Sequence, residues 1–249
     1  MKLHEVKPNI FFVDGPGPAS NSLLLKTSAG NVLVDTMSSE ADAQAILDAA
    51  NLTSDDIDLL LTTHADGDHM LGNSLFNCPN IAHQLTHDRM VEAGRPAAEL
   101  PTETFTGNKH SLHHGEFTIE MIFTGGHKKD MTMIWLPEQK VLFASDIIFT
   151  GRYPVMIGSI VPTWIEVLKS LPEYQADVYL PGHGTVCTLA DVDFLLDYME
   201  PTWEQVNELV KQGKTLDEIL AAPGFPKVDT WDKESFFEKN IQYMVEMLT

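Results

Sequence analysis

Cysteine is almost absent from this chain. Two residues in 249, Cys78 and Cys187, make no disulfide framework, and neither belongs to a C-x-x-C pair. A reduced compartment, the cytoplasm, is the expected location. Basic residues are scarce as well, 16 against 36 acidic ones, for a net charge of −20. That balance points away from nucleic-acid phosphates and anionic membranes as partners. No apolar run approaches the length of a membrane span. The opening residues, Met1 to Pro8, carry no apolar signal core. No repeat and no low-complexity tract is evident. What remains is a chain of ordinary hydrophobic content, 43%, long enough to bury a full core as one domain, 1–249.

Its elements are short and alternate. Strands are expected at Ile10–Val13, Ser22–Lys26, Val32–Val34, Ile57–Leu61, Ile81–Ala82, Phe117–Phe123, Met131–Leu136, Val141–Ala144 and Val178–Leu180. Helices are expected from a cap at Ser38 or Ser39 to Ala50, over Thr86–Ala93, and from a Thr163 cap to Leu171. The stretch Gly94–Gly107 reads as a surface connection in preference to a loop over a site. Two runs of strands followed by helices imply two packed sheets with helices outside. From 190 to 249 the pattern turns helical: Ala190–Gln212, Leu216–Ala221 and Glu234–Leu248. The apolar stripe of the last segment is expected to pack on the rest, with a homodimer surface as the alternative.

One segment carries more chemistry than any other: Thr63-His64-Ala65-Asp66-Gly67-Asp68-His69. It places four metal-ligand side chains in six residues, just after a strand. Imidazole and carboxylate together suit zinc, iron or manganese. In an extended loop His64, Asp66 and Asp68 share a side, and a bend at Gly67 turns Asp68 and His69 toward a second ion. The plainer account makes Asp66-Gly67 a turn and Asp68 a helix cap. That explains the aspartates one at a time and leaves two flanking histidines without a reason.

The segment resembles the H-x-H-x-D-H loop of the metallo-β-lactamase superfamily, with Asp66 standing where the second histidine is usual. Further motifs follow in that family's order. They are Gly125-Gly126-His127 after a strand, Leu142-Phe143-Ala144-Ser145-Asp146, and Tyr179-Leu180-Pro181-Gly182-His183-Gly184. Asp35, in Val32-Leu33-Val34-Asp35-Thr36, matches the early aspartate that buttresses the site. The resemblance spans about residues 6 to 190. It implies a four-layer αββα sandwich with the site at one edge of the sheets and residues 190–249 as a helical extension packed on it.

By the same resemblance, His64, Asp66 and His127 hold one divalent ion, and Asp68, His69 and His183 hold another. Asp146 bridges them. Zinc is commonest in the family; the Asp66 carboxylate tilts the choice toward iron or manganese. The implied activity is a dinuclear metal-dependent hydrolase that uses a bridging hydroxide on an ester, lactone, thioester or phosphoester-type small molecule. Asp68 also orients the nucleophile. Lys128, Arg152 and Tyr153 are the candidate substrate contacts, Lys128 for an anionic group. With no export signal and a charge of −20, neither a true β-lactamase nor a nucleic-acid enzyme is expected. Two other readings stand beside hydrolysis. One is a di-iron redox or oxygen-binding protein related to flavodiiron proteins, which also carry an acid at the position of Asp66. The other is a metal-binding sensor without turnover.

Overall fold

A computed structural model describes residues 1–17, 19–232 and 235–249. The first half of the chain forms a seven-stranded sheet whose spatial order is its sequence order. Its strands are β1 (Lys2–Lys7), β2 (Ile10–Asp14), β3 (Ser22–Thr27), β4 (Gly30–Val34), β5 (Ile57–Thr62), β6 (Asn80–His83) and β7 (Glu103–Phe105). The second half forms β8 (Lys109–His114), β9 (Phe117–Phe123), β10 (Thr132–Leu136), β11 (Val141–Phe149) and β12 (Val178–His183), ordered β12-β11-β10-β9-β8. The chain therefore crosses from one sheet to the other once, at residues 106–108.

Helices cover both outer faces. Helix α1 (Glu40–Ala50) is capped by the Ser39 hydroxyl, which accepts from Asp42 N at 3.1 Å. Its Ala43, Ile46 and Leu47 pack on Leu24, Leu33 and Leu60 of the first sheet. Two shorter helices follow, α2 (Gly67–Met70) and α3 (Gln84–Glu92). On the second sheet, α4 (Val161–Ser170), α5 (Leu189–Lys211) and α7 (Ser235–Leu248) bury Trp164, Leu195, Tyr198, Ile241 and Met244, and α6 (Leu216–Leu220) adds Ile219. Between the sheets lies a separate apolar layer, with Leu23, Leu25, Val34 and Leu61 facing Ile119, Met121, Ile134 and Phe143. The result is the four-layer αββα sandwich. Strand β11 is buried along its whole length because it lies between the inter-sheet layer and the helices.

Strand direction positions the site. β4 and β5 are parallel, and β11 and β12 are parallel. β9 is antiparallel to β10, which is antiparallel to β11, so β9, β11 and β12 run the same way. Asp35, His64, His127 and His183 all fall at or just past the C-terminal ends of these strands.

Several expectations need correction. β1, β7 and β8 were not expected from the sequence. β11 continues past Ala144 to Phe149. Helix α4 starts at Val161 with Pro162 in its first turn, so Thr163 is inside it and is not its cap. The stretch 94–107, expected as a surface connection, supplies edge strand β7 instead. Of the final expected helix, Glu234 lies outside the described residues. The apolar stripe of α7 packs on the second sheet's helices. No helix among the described residues is long and apolar enough to cross a membrane.

Candidate metal centre

Asp146 is the centre of the arrangement. Its Oδ2 lies 3.3 Å from His127 Nε2, 3.5 Å from His183 Nε2 and 3.9 Å from His64 Nε2, and its Oδ1 lies 3.1 Å from His69 Nε2. The four imidazoles and Asp146 are all buried. Asp68 Oδ2 stands 3.3 Å from His183 Nε2 and keeps its side chain 41% exposed, so it faces the opening. Three groups among the described residues have the spacing of a metal site: His64, His127 and Asp146; Asp68, His69 and His183; and Asp35, His64 and His69, whose Asp35 is already engaged by Thr63 and His69.

Hydrogen bonding fixes which ring nitrogens face inward. Asp35 accepts from Thr63 N at 2.8 Å, from Thr63 Oγ1 at 2.7 Å and from His69 Nδ1 at 2.8 Å. With its own proton given to Asp35, Thr63 Oγ1 accepts from His64 Nδ1 at 3.0 Å. His183 Nδ1 donates to Ala19 O at 3.3 Å. Each of these three rings thereby turns a bare Nε2 toward Asp146. Nε2 of His64, His69 and His127 and Oδ1 of Asp146 make no hydrogen bond, although buried. His69 Nε2 and Asp146 Oδ1 are close, but not in hydrogen-bond geometry. Buried polar atoms ordinarily have partners. A donor set of imidazole nitrogens and carboxylate oxygens aimed at common points fits divalent cations.

The electrostatics differ from ring to ring. Burial holds His64 down to about 3, helped by the neighbouring His69. His69 goes the other way: burial opposes its charge, yet Asp146, Asp68 and Asp35 outweigh burial and raise it. Burial would raise Asp68, but His69 and His183 hold it near 2, an ionised carboxylate at neutral pH.

Local backbone geometry builds the site. Asp35 and Ser145 both adopt left-handed conformations, φ 60° and 48°. Non-glycine residues rarely adopt it, and here the turns place Asp35 under the two histidines and Asp146 between the four rings. Gly182 has no room for a side chain: a Cβ there would lie 1.9 Å from Asp146 Oδ1.

Asp66 is placed differently from the other candidates. Its Oδ2 lies 3.5 Å from His127 Nε2 and 3.8 Å from His64 Nε2, within reach of the first cluster. Its Oδ1 accepts from Arg89 Nη2, and Lys128 Nζ stands 3.6 Å from Oδ2. Asp130 is turned away from the cluster, accepting from Ala65 N at 2.8 Å and Arg89 Nη1 at 2.9 Å. Lys128 Nζ also donates to Ile157 O. It lines a concavity of about 380 Å³ with Asp66, Arg89, Lys129, Ile157 and Gly158. Arg152 is buried, with Nη1 3.3 Å from His183 Nδ1, and borders a cavity of about 540 Å³. Tyr153 is not brought to the cluster. Its hydroxyl accepts from Val228 N at 2.8 Å, and its ring packs edge-on against Tyr198 and Trp231. Its aromatic ring serves the core beside the C-terminal helices.

The sequence model of the metallo-beta-lactamase superfamily matches residues 15–183. The chain belongs to that superfamily. Among superfamily relatives, the beta-lactamase-like protein 2 homolog of Caenorhabditis elegans is 26% identical over 220 residues, 83% of this chain and 70% of that protein. A hydroxyacylglutathione hydrolase of Mesorhizobium japonicum is 29% identical over 175 residues, 69% of this chain and 63% of that enzyme. The sec-alkylsulfatase Pisa1 from Pseudomonas sp. superposes with a TM-score of 0.80 at 17% identity, over 99% of this chain and 50% of that one. The metallo-beta-lactamase from Pontibacter korlensis gives 0.69 at 20% identity, over 79% and 98%. At such identities the structural likeness shows the fold alone. Superfamily membership makes the chain a metal-dependent hydrolase in class.

Sequence reading missed several residues around the centre. Arg89 sits on α3, 23 positions from Asp66 and 41 from Asp130, with no motif around it. Ser20 Oγ donates to Asp68 O, and Asn21 Nδ2 donates to Pro181 O at 3.0 Å and Gly184 O at 2.9 Å, tying the loop after β2 to the His183 loop. The Ser20-Asn21 dipeptide carries no signal that it does so.

Proposed function

We propose that the chain hydrolyses an ester-type small molecule at a dinuclear centre. His64, Asp66 and His127 would hold one divalent ion, Asp68, His69 and His183 the other, and Asp146 both. The observation that carries this reading is the set of buried, unbonded Nε2 atoms converging on Asp146. Bound there, the two ions supply Lewis acidity and lower the pKa of water toward about 7. Asp68 is ionised and faces the opening, so it accepts a hydrogen bond from an attacking water and aims its lone pair. Lys128 borders the concavity that Asp66 also lines, where a substrate anion would meet positive charge; Arg152, the other candidate contact, borders a second cavity that it shares with Asp232. The hydroxyacylglutathione hydrolase among the similar proteins supports ester-type acyl compounds as the first substrates to try.

The deciding experiment joins metal analysis to kinetics. The reconstituted protein is expected to bind two ions and to turn over a member of an ester, thioester, lactone and phosphoester panel, with chelation abolishing turnover. Asp68→Asn is expected to lower kcat by about 100-fold or more with little change in KM. Lys128→Ala is expected to raise KM and spare kcat. Full turnover by metal-free protein would end this reading. Oxygen consumption with an electron donor, and no hydrolysis, would replace it with the di-iron one, which the carboxylate at position 66 favours.

A further inference from the structure

The two halves of the centre are not equivalent, and the difference lies in what surrounds their carboxylates. Asp68 Oδ2 faces His183. Asp66, its counterpart, is held from outside the cluster. Arg89 takes its Oδ1, and Lys128 Nζ stands 3.6 Å from Oδ2, the oxygen that faces His64 and His127. Neither cation is adrift. Arg89 is fixed by a second bond from Nη1 to Asp130 Oδ1 at 2.9 Å, and Asp130 is anchored by Ala65 N. Lys128 is fixed by Ile157 O and is largely buried. On the other half Arg152 approaches His183 on its Nδ1 side, 3.3 Å away, and acts on Asp68 and Asp146 through space without a hydrogen bond to either carboxylate among the described residues.

Two consequences follow from elementary electrostatics. A carboxylate already neutralised by a guanidinium is a poorer donor, because its charge is shared. A fixed ammonium beside a cation site repels a dication, and burial weakens the screening of that repulsion. A histidine at position 66 would escape the first effect, being neutral and offering Arg89 no carboxylate, but not the second.

We propose that the centre loads unequally. The half built from Asp68, His69 and His183, which shares Asp146 with the other, takes a divalent ion first and holds it more tightly. The half built from His64, Asp66 and His127 takes the second ion weakly, because Arg89 and Lys128 withhold part of the Asp66 charge. Arg89 and Lys128 are thus positioning residues that set the occupancy of one half. This rests on the two-ion reading above.

The test is calorimetric titration of the metal-free full chain with zinc alone, and separately with manganese, read as number of ions and affinity of each. Wild type is expected to show two steps at least tenfold apart. Asp68→Asn is expected to remove the tighter step and Asp66→Asn the weaker one. Arg89→Gln and Lys128→Gln are each expected to tighten the weaker step by about tenfold and leave the other in place. Lys128→Gln stands independently of Arg89→Gln, whose loss also strips a partner from buried Asp130. Two ions of equal affinity in wild type would overturn the proposal. So would a weaker second step in both cation variants, which would make these residues supports for ligation. A single ion in wild type and in both cation variants would instead remove the two-ion reading on which it stands.

Discussion

Asp35 touches no substrate in any reading of this site, yet two histidines depend on it. It orients His69 directly and His64 through the Thr63 hydroxyl. Asp35→Asn keeps the shape and removes an acceptor, so one of those nitrogens loses its partner. Metal affinity is expected to fall by about 10–100-fold, measured by competition with a chromophoric chelator. A loss below threefold would show that packing alone holds the rings. Gly182→Ala gives a second case. Its Cβ has nowhere to go except into Asp146, so the variant is expected to lose bound metal while keeping its far-ultraviolet spectrum. The candidate ligand side chains were legible in the sequence because each sits in a short local motif at a strand end. Arg89 was not legible, since an ion pair between a helix face and a loop 23 positions away leaves no local pattern. Nearness to Asp146 along the chain says as little about Tyr153: seven residues on, its ring lies in the aromatic core.

Elements were legible to the extent that their burial was one-sided and their residues apolar. β9 alternates cleanly and stood out; β8, Lys-His-Ser-Leu-His-His, alternates just as regularly in burial but with polar residues, so hydrophobicity could not reveal it. β7 and β1 are edge strands, short or polar, where pairing and not side-chain character makes the strand. The C-terminal helices show how an element without any ligand still shapes the centre. Asn240 on α7 accepts from Met156 N at 3.0 Å and donates to Pro154 O at 2.9 Å and Tyr198 Oη at 3.2 Å. Tyr243 donates to Ser159 O at 2.8 Å. Together they pin the segment after β11 that carries Arg152 and Ile157. Asn240→Leu leaves buried backbone groups unpaired and is expected to cost about 2–4 kcal/mol in denaturant unfolding. The same variant is expected to raise KM more than it lowers kcat, because it loosens a wall and not the ligands. An unchanged midpoint would mean that the apolar stripe of α7 alone holds the extension in place.

For the whole molecule, bound metal and stability are linked. The ligand atoms are brought together only by folding, so cations bind the native state in preference to the unfolded chain. Each ion at about 100 times its dissociation constant would add about 2.7 kcal/mol, or roughly 5–10 °C in Tm for a chain of this size. Differential scanning calorimetry with and without chelator reads this directly, and identical melting points would show that the site contributes nothing to the fold's stability. The fold class was legible at this scale from the order of its motifs, since strands, helices and ligand loops recur in one sequence. The distribution of 36 acidic against 16 basic residues was legible only as a total. That Arg89, Lys128 and Lys129 gather at one concavity on so acidic a chain emerges only once the chain is folded.

The chain passes between its two sheets a single time, at residues 106–108, so covalent connectivity joins them at one point. Asp66, Asp68 and both histidines of the signature loop belong to the first sheet's side; His127, Asp146 and His183 belong to the second. Ions shared across that seam would close the polypeptide into a loop, with the peptide link at one place and a coordination link at another. Unlike a disulfide, such a clasp needs no oxidant and no cysteine, and a chelator reopens it without breaking a covalent bond. A chain with two unpaired thiols would thus have a cross-link suited to a reducing environment, set at the place where its chemistry is done.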